Sequence, residues 1–243
     1  MNKVSKVFVW VLCLAAVRYM ILAYQETKPY VETKREHVEL RNLVIEREEG
    51  EAQIDFDRLK KINPDICAWI SIPGTHIDYP VLIGKDNEEY LEKNFKGEYD
   101  KLGSVFAFSD MSRDFTNPHI CIFAHNMKRP QMFGELKKYR ESEFASNNKL
   151  LYFYTPGKVE KYYLFSVVEC EKTDELFRYQ MDSRSEEFYR LVLDIRGRNE
   201  QQDIEEERGA KEVEKLITLS TCSEYERTKK RMTVHFVKMK NCV

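Results

Sequence analysis

Residues 63–81 read Asn-Pro-Asp-Ile-Cys-Ala-Trp-Ile-Ser-Ile-Pro-Gly-Thr-His-Ile-Asp-Tyr-Pro-Val. Ile66 to Ile72 has the aliphatic and aromatic character of a β-strand, and Pro73-Gly74 is typical of a turn. Ile77 to Ile83 gives a second strand. This strand–turn–strand pattern opens the folded part of the chain and predicts a β-rich domain.

Six more strand-like segments follow toward the C-terminus: Gly103–Phe108, His119–Ala124, Leu150–Tyr154, Tyr162–Cys170, Leu216–Cys222 and Met232–Met239. Eight short strands separated by turns indicate a mainly β fold, an antiparallel barrel or sandwich. Helices are predicted at Met132–Tyr139 and at Ser185–Ile195. The second lies between the sixth and seventh strands.

The first 53 residues have a different composition from the rest of the chain. Val7 to Tyr24 is apolar apart from Arg18 and would span roughly 27 Å as a helix, close to the hydrocarbon thickness of a bilayer. We therefore predict a membrane anchor over residues 1–25, with Lys3 and Lys6 favouring a cytoplasmic N-terminus. A cleaved signal peptide is the alternative. Residues 26–53 form a polar stalk or helix, and the folded domain covers residues 54–243, beginning with a short amphipathic helix.

The composition argues against several classes of function. With 39 basic and 41 acidic residues, the chain has no overall charge that would attract nucleic acid. Its six cysteines show neither C-x-x-C spacing nor a Cys/His cluster of the kind that binds zinc. We predict neither a metal nor an organic cofactor, and we expect most cysteines to be buried free thiols.

One cysteine stands in a different setting from the others. Residues 218–222, Thr-Leu-Ser-Thr-Cys, end the seventh predicted strand, just before a polar loop over residues 223–230. Side chains alternate along a strand, so Thr218, Ser220 and Cys222 share one face. A thiol at a strand end, beside a hydroxyl, is well placed for chemistry. A buried structural cysteine fits the same spacing.

Arg231 begins the eighth predicted strand. If the last two strands form a hairpin, Arg231 lies close to Cys222. Its guanidinium would then donate hydrogen bonds to a developing oxyanion. Arg227 and Lys230 are rivals for this role, and a surface ion pair is the simpler alternative for Arg231.

A cysteine nucleophile also needs a group that takes and returns protons. His125 ends the hydrophobic run of residues 120–124 and opens into a loop, again at a strand end. The other four histidines lie in the stalk, in a turn, at the start of a strand and inside the last strand: His37, His76, His119 and His235. We predict His125 as the acid and base, with a structural role as the alternative.

These motifs together resemble the sortase family. The Thr-Leu-Ser-Thr-Cys segment, with an arginine nine residues later, is similar to the sortase active-site motif. The run Asn117-Pro-His-Ile-Cys-Ile-Phe-Ala-His-Asn-Met127 resembles the strand of the catalytic histidine, although Phe-Ala replaces the more usual tyrosine–glycine. Residues 63–81 resemble the opening strands of class B sortases. Residues 86–91, 103–106 and 132–139 extend the likeness, which runs from about residue 54 to near the C-terminus.

The resemblance implies an eight-stranded sortase-type β-barrel with N-terminal helices and the helical insertion that favours class B. It implies a transpeptidase that cleaves a C-terminal sorting motif of secreted proteins through a thioacyl intermediate. The catalytic residues would be Cys222, His125 and Arg231. The substrate-binding residues would be Ser220, Thr221, Asn87 and Leu91.

The resemblance also implies the partners and the location. The acceptor would be an amine of the peptidoglycan cross-bridge or of a pilin. The enzyme would be a single-pass protein of a Gram-positive-type cell membrane, with its catalytic domain outside.

Two alternatives remain open at the level of sequence. A cysteine peptidase would use the same residues and transfer the acyl group to water. A non-catalytic exported interaction domain would keep Cys222 as an inert thiol.

Overall fold

The structure is a computed structural model that describes residues 3–48, 51–127, 130–182, 184–200, 209–222 and 230–240. The chain divides into two compact units, Met1–Asn42 and Leu43–Val243.

The first unit is occupied by one long helix, α1 (Lys3–Val44), which runs on into the start of the second unit. The apolar side chains of its N-terminal half, such as Phe8, Trp10 and Leu14, are exposed. From Val7 onward the helix is long and apolar enough to cross a membrane. The division of residues 1–53 into an anchor and a stalk stays a prediction.

The second unit opens with a small hairpin that the sequence analysis did not predict. It pairs β1 (Ile45–Glu48) with β2 (Glu51–Ile54), both rich in polar residues. The short helix α2 (Phe56–Ile62) follows, and the Asp55 side chain caps its first turn. It buries Phe56 and Leu59, as expected for an amphipathic helix.

Eight strands of the described chain close into a barrel in the order β10-β8-β7-β3-β4-β5-β6-β9. All eight predicted strands are confirmed, within a few residues at their ends. Their bounds are β3 (Ile66–Ser71), β4 (Asp78–Leu82), β5 (Phe106–Ala107), β6 (His119–His125), β7 (Leu150–Thr155), β8 (Lys158–Glu171), β9 (Val213–Cys222) and β10 (Lys230–Met239).

The prediction of a purely antiparallel sheet was wrong for two of the pairings. β4 pairs parallel with β5, and β6 pairs parallel with β9. Alternation along a strand gives its faces but not its direction, and a long connection between two strands permits either direction. The parallel pairing of β6 with β9 places the C-terminal ends of both strands at the same edge of the barrel.

The predicted helical insertion is confirmed as α4 (Glu186–Gly197), which lies in the crossover between β8 and β9 (residues 172–212). Ser185 caps it by accepting a hydrogen bond from the Phe188 amide at 3.1 Å. Its buried side chains pack with apolar residues of β8, β9 and β10: Phe188, Leu191, Val192 and Ile195. The crossover therefore covers one outer face of the barrel.

The helix predicted at Met132–Tyr139 was wrong at its start. A 3-10 helix forms only over Leu136–Arg140, and a short helix, α3 (Ser142–Asn147), follows. Met132 has a φ of 49°, a left-handed conformation that cannot belong to a right-handed helix. It instead makes an isolated bridge with Asn126.

A buried carboxylate joins three strands at the barrel edge opposite the Cys222 end of β9. Glu160 on β8 lies 2.8 Å from Lys238 of β10, 3.9 Å from Lys215 of β9 and 2.7 Å from Lys158. Burial alone would raise the pKa of Glu160, but its hydrogen bonds to the lysines outweigh burial and lower the pKa to about 2. The ionised carboxylate therefore stabilises the closed barrel.

Replacing Glu160 with glutamine should lower the free energy of unfolding by about 1–2 kcal/mol at pH 7, because solvent screens part of the attraction to the lysines. The folded pKa lies below the unfolded value, so this contribution is complete above about pH 4.5 and is lost as the pH falls toward 2. Urea unfolding of the detergent-solubilised chain should therefore show a difference between wild type and Glu160→Gln that shrinks with acidification. A difference that does not change with pH would contradict the assignment.

Candidate active site

Three neighbouring strands of the barrel end at one edge with the three predicted reacting residues. β9 lies between β6 and β10. In the parallel pair, His125 of β6 is the register partner of Cys222 of β9. In the antiparallel pair, Thr233 is opposite Ser220, so continuing that register by two residues brings Arg231 level with Cys222. The cysteine thus occupies the middle strand.

The thiol of Cys222 itself lies outside the described part of the chain, but the strand pairing places its backbone. Neighbouring strands lie about 4.8 Å apart. The backbone of Cys222 therefore lies about one strand spacing from that of His125 on one side and from that of Arg231 on the other. The side chains of His125 and Arg231 lie on the face of the barrel that the crossover covers further along the same strands.

Arg231 is held in place by two contacts. Its Nη1 donates a hydrogen bond to the carbonyl oxygen of Thr221 at 3.0 Å. Its guanidinium carbon lies 5.7 Å from the centre of the Phe123 ring, a cation–π distance. Its Nε is buried and has no hydrogen-bond partner among the described residues. A guanidinium anchored through one Nη1–H keeps further N–H donors, which suits it to bind an anionic oxygen.

Phe123 belongs to an aromatic cluster that sequence reasoning missed as part of the site. Its ring centre lies 4.7 Å from that of Phe108 and 5.7 Å from that of Phe177 in the crossover. Tyr179 in turn stacks on Phe108 at 4.9 Å. Phe123 could have revealed this cluster from the sequence, because it lies two residues before His125 and therefore on the same face of β6. The cluster forms an aromatic wall beside Arg231.

His125 is half-buried and has a defined orientation. Its Nε2 lies 2.7 Å from the carbonyl oxygen of Leu91, in a 3-10 helix formed by Glu89–Leu91. A carbonyl oxygen can only accept, so Nε2 carries the hydrogen. This leaves Nδ1 as the nitrogen that can take and return a proton.

Gly103 shapes the segment that holds His125. Its φ is +62°, and a Cβ built there would lie 2.5 Å from the carbonyl oxygen of Leu91 and 2.7 Å from that of Tyr90. Backbone oxygens at such distances cannot be moved aside as a flexible side chain can. Only glycine therefore lets the Leu91 carbonyl reach His125 in this way.

Replacing Gly103 with alanine should reduce kcat/KM by at least about ten-fold, because the Leu91 carbonyl must shift and His125 must follow it. Gly157→Ala is the matched control. Gly157 has a similar φ of +73°, but a Cβ there meets no atom within 4 Å. Both variants place an alanine at a positive φ and so incur the same kind of backbone strain. Only Gly103→Ala displaces His125. Equal peptide-cleavage activity in the two variants would contradict this role of Gly103.

The four predicted substrate-binding residues are placed differently from one another. Ser220 is fully buried, and its hydroxyl has no partner among the described residues. Thr221 projects to the other face, and its Oγ1 accepts from the Met232 amide at 3.3 Å. Exposed Asn87 accepts a hydrogen bond from the Ser109 amide at 2.8 Å, while Leu91 offers its carbonyl to His125. Their roles in substrate binding stay predictions.

The rivals of Arg231 are less well placed or are not described. Lys230 is exposed, and its Nζ lies 2.9 Å from Glu169 of β8. Arg227 lies outside the described residues.

Three other cysteines confirm the expectation of buried free thiols: Cys67, Cys121 and Cys170. Burial raises the pKa of each thiol, well above its ordinary value for Cys121 and to about 11 for Cys170. A buried thiol with a raised pKa is a poor nucleophile. These thiols therefore act as packing groups.

Known proteins resemble this chain in sequence and in fold. A model of the sortase domain matches residues 70–238. Sortase B of Staphylococcus aureus is 29% identical over 230 residues, which cover 91% of this chain and 92% of that protein. The X-ray structure of Clostridium perfringens sortase B is similar with a TM-score of 0.68 at 28% identity, over 76% of this chain and 100% of that one. A Staphylococcus aureus sortase B–substrate complex gives a TM-score of 0.67 at 28% identity, over 76% of this chain and 85% of that one.

The family match covers more than half of the chain, and the similar structures share its closed barrel. The order of the strands also places the cysteine between the histidine and the arginine. This chain belongs to the sortase family and is a class B sortase, a cysteine transpeptidase.

Proposed function

We propose that Cys222, His125 and Arg231 are the reacting residues and that the enzyme joins secreted proteins to an amine of the cell envelope. The observation that supports this most directly is the register of the three strand ends, with Cys222 between the other two residues. The contacts of Arg231 and His125 described above fit the roles of oxyanion donor and proton carrier.

In the first half of the reaction, the Cys222 thiolate attacks the threonine carbonyl carbon of a C-terminal sorting motif. Arg231 donates to the oxyanion of the tetrahedral intermediate. The carbon–nitrogen bond then breaks, and His125 gives a proton to the departing amine. A thioester between the substrate and Cys222 remains.

In the second half, the amine of an acceptor attacks the thioester carbonyl. His125 removes the proton from that amine, and the carbon–sulfur bond breaks. The thiolate of Cys222 is regenerated, and a new amide joins the two molecules. The acceptor is an amine of the peptidoglycan cross-bridge or of a pilin.

Ser220, Thr221, Asn87 and Leu91 belong to the proposed groove for the sorting motif. A similar Staphylococcus aureus sortase B has been solved as a complex with substrate, which supports substrate binding by this barrel. The aromatic wall of Phe108, Phe177 and Tyr179 would form one side of it.

The proposed location is the outer face of the cell membrane, with α1 as a single-pass anchor. The apolar side chains in the N-terminal half of α1 are exposed, and Lys3 and Lys6 precede them. Positive residues before a span favour the cytoplasmic side for the N-terminus. This arrangement leaves the catalytic domain where exported proteins emerge.

A peptide-library screen tests the proposal. Intact-mass spectrometry of the detergent-solubilised enzyme should show a covalent thioacyl adduct with peptides that carry the sorting motif. Adding an amine should then give a product whose mass includes that amine. A product that gains only water in the presence of the amine would indicate a peptidase, and no adduct with any peptide would contradict the proposal.

A further inference from the structure

A chain of hydrogen bonds lies fully buried beneath the reacting edge of the barrel. It links strands β6, β9, β10 and β8 to the crossover, and its four side chains are His119, Thr218, His235 and Thr233, each with 0% exposure. His119 Nε2 lies 2.7 Å from Thr218 Oγ1, which lies 2.9 Å from His235 Nδ1. His235 Nε2 is 2.9 Å from Thr233 Oγ1. At the other end, His119 Nδ1 is hydrogen-bonded to the carbonyl oxygen of Arg178.

Both histidines are neutral near pH 7. Burial lowers the pKa of His119 to about 4, although the bond to the Arg178 carbonyl opposes this. Burial also lowers the pKa of His235 well below its ordinary value; His119 and Arg198 lower it further, and Asp174 opposes them. Asp174 and Arg198 are paired with each other at 2.8 Å.

With neutral histidines, the hydrogens of the chain can run in only one direction. The Arg178 carbonyl can only accept, so His119 carries its hydrogen on Nδ1 and accepts at Nε2 from the Thr218 hydroxyl. Thr218 then accepts from His235 Nδ1, which leaves His235 Nε2 as an acceptor. The single hydroxyl hydrogen of Thr233 is donated to the Val168 carbonyl oxygen of β8 at 2.8 Å, with His235 Nε2 at 2.9 Å. At the crossover end of this chain, the donor is therefore the Nδ1–H of His119, which points at the Arg178 carbonyl.

The crossover residues next to Arg178 form the aromatic wall of the active site. Phe177 precedes Arg178, and its ring lies 5.7 Å from Phe123. Tyr179 follows it, stacks on Phe108 and donates a hydrogen bond to Asp110. Phe123 in turn lies under the Arg231 guanidinium. A continuous set of contacts thus runs from His119 to Arg231.

We propose that His119 is a positioning residue for the transpeptidation reaction. Its hydrogen bond to the Arg178 carbonyl docks the crossover so that Phe177 keeps Phe123 in place beneath Arg231. The Thr218 hydroxyl, held by His235, donates to Nε2 and so keeps the hydrogen of His119 on the nitrogen that faces the crossover. This inference rests on the proposed role of Arg231 as the oxyanion donor.

Replacing His119 with asparagine or with glutamine tests its two hydrogen bonds one at a time. The amide nitrogen of asparagine occupies the place of the imidazole Nδ1 and can still donate to the Arg178 carbonyl. The amide of glutamine reaches the place of Nε2 and can bond only to Thr218. We expect kcat of His119→Gln to fall about ten-fold, the effect of one lost buried hydrogen bond, and kcat of His119→Asn to stay within about three-fold of wild type.

The measurement uses the full chain in detergent and a peptide that forms the thioacyl adduct. The concentration of reactive thiol is counted as the fraction of chains that form the thioacyl adduct in the intact-mass spectrum, so unfolded protein does not lower kcat. A merely structural role would lower the melting temperature of both variants and leave kcat per reactive thiol unchanged. That result, or equal losses in both variants, would overturn the inference. An inactive wild-type enzyme would instead contradict the proposed function.

Phe177→Leu provides a second test if His119→Gln does not fold. This variant removes the ring contact with Phe123 and leaves the buried hydrogen bonds intact. It should show the same loss in kcat as His119→Gln, with little change in melting temperature. A wild-type kcat in Phe177→Leu would show that the crossover does not act through Phe123.

Discussion

Cys222→Ala should abolish turnover and thioacyl formation, with a loss on the order of 10³-fold or more, as expected when a covalent nucleophile is removed. Alanine cannot form the thioester, so His125 and Arg231 are left without the thiol that they assist. The fold should persist, because Cys222 ends β9 and is not a central member of the barrel. The test compares intact enzyme masses and cleavage rates for the two proteins, with circular dichroism to verify the fold.

Cys67→Ala is the matched control for this variant. It removes a buried thiol from β3, which is separated from β9 by three strands in the barrel order. We expect it to lose some stability and to keep its thioacyl adduct. Turnover that survives in Cys222→Ala, or an adduct that is lost in Cys67→Ala instead, would remove the assignment of the nucleophile.

Much of the barrel was predictable because its signals are local. Alternation of apolar and polar residues, with a turn such as Pro73-Gly74, gave all eight strands and the hairpin of β9 with β10. The apolar face of α4 gave the helical insertion, and Ser185 at its start is a typical cap. Each of these signals lies within about ten residues of sequence.

Features that depend on distant parts of the chain were not predictable in the same way. The direction of β6 relative to β9 is set by the whole barrel, so the parallel pair was missed. The hairpin of β1 with β2 was missed because its own residues are mostly polar and show no apolar alternation. His235 appeared only as a residue inside a strand, because Thr218 links it to His119, which is over a hundred residues away in sequence. The family resemblance gave the reacting residues, but not the contacts that orient them.

Arg231→Lys should reduce kcat by about 10²- to 10³-fold, the usual effect of losing one oxyanion donor. The planar guanidinium can donate to the Thr221 carbonyl through Nη1 and still present other N–H groups to the substrate. Its guanidinium carbon also lies over the Phe123 ring, 5.7 Å from the ring centre. A lysine ammonium is a single donor centre on a flexible stem, so it cannot keep the Thr221 bond and reach the oxyanion in the same geometry.

The loss should appear mainly in kcat, because the negative oxygen develops only in the transition state. KM for the sorting peptide should change much less. Lys230→Met is the control: Lys230 pairs with Glu169 on the exposed side of β10, and its removal should leave kcat within about two-fold of wild type, as for other exposed ion pairs. Near-normal kcat in Arg231→Lys would contradict the planar-donor role, and a severe loss in Lys230→Met would transfer that role to the neighbouring lysine.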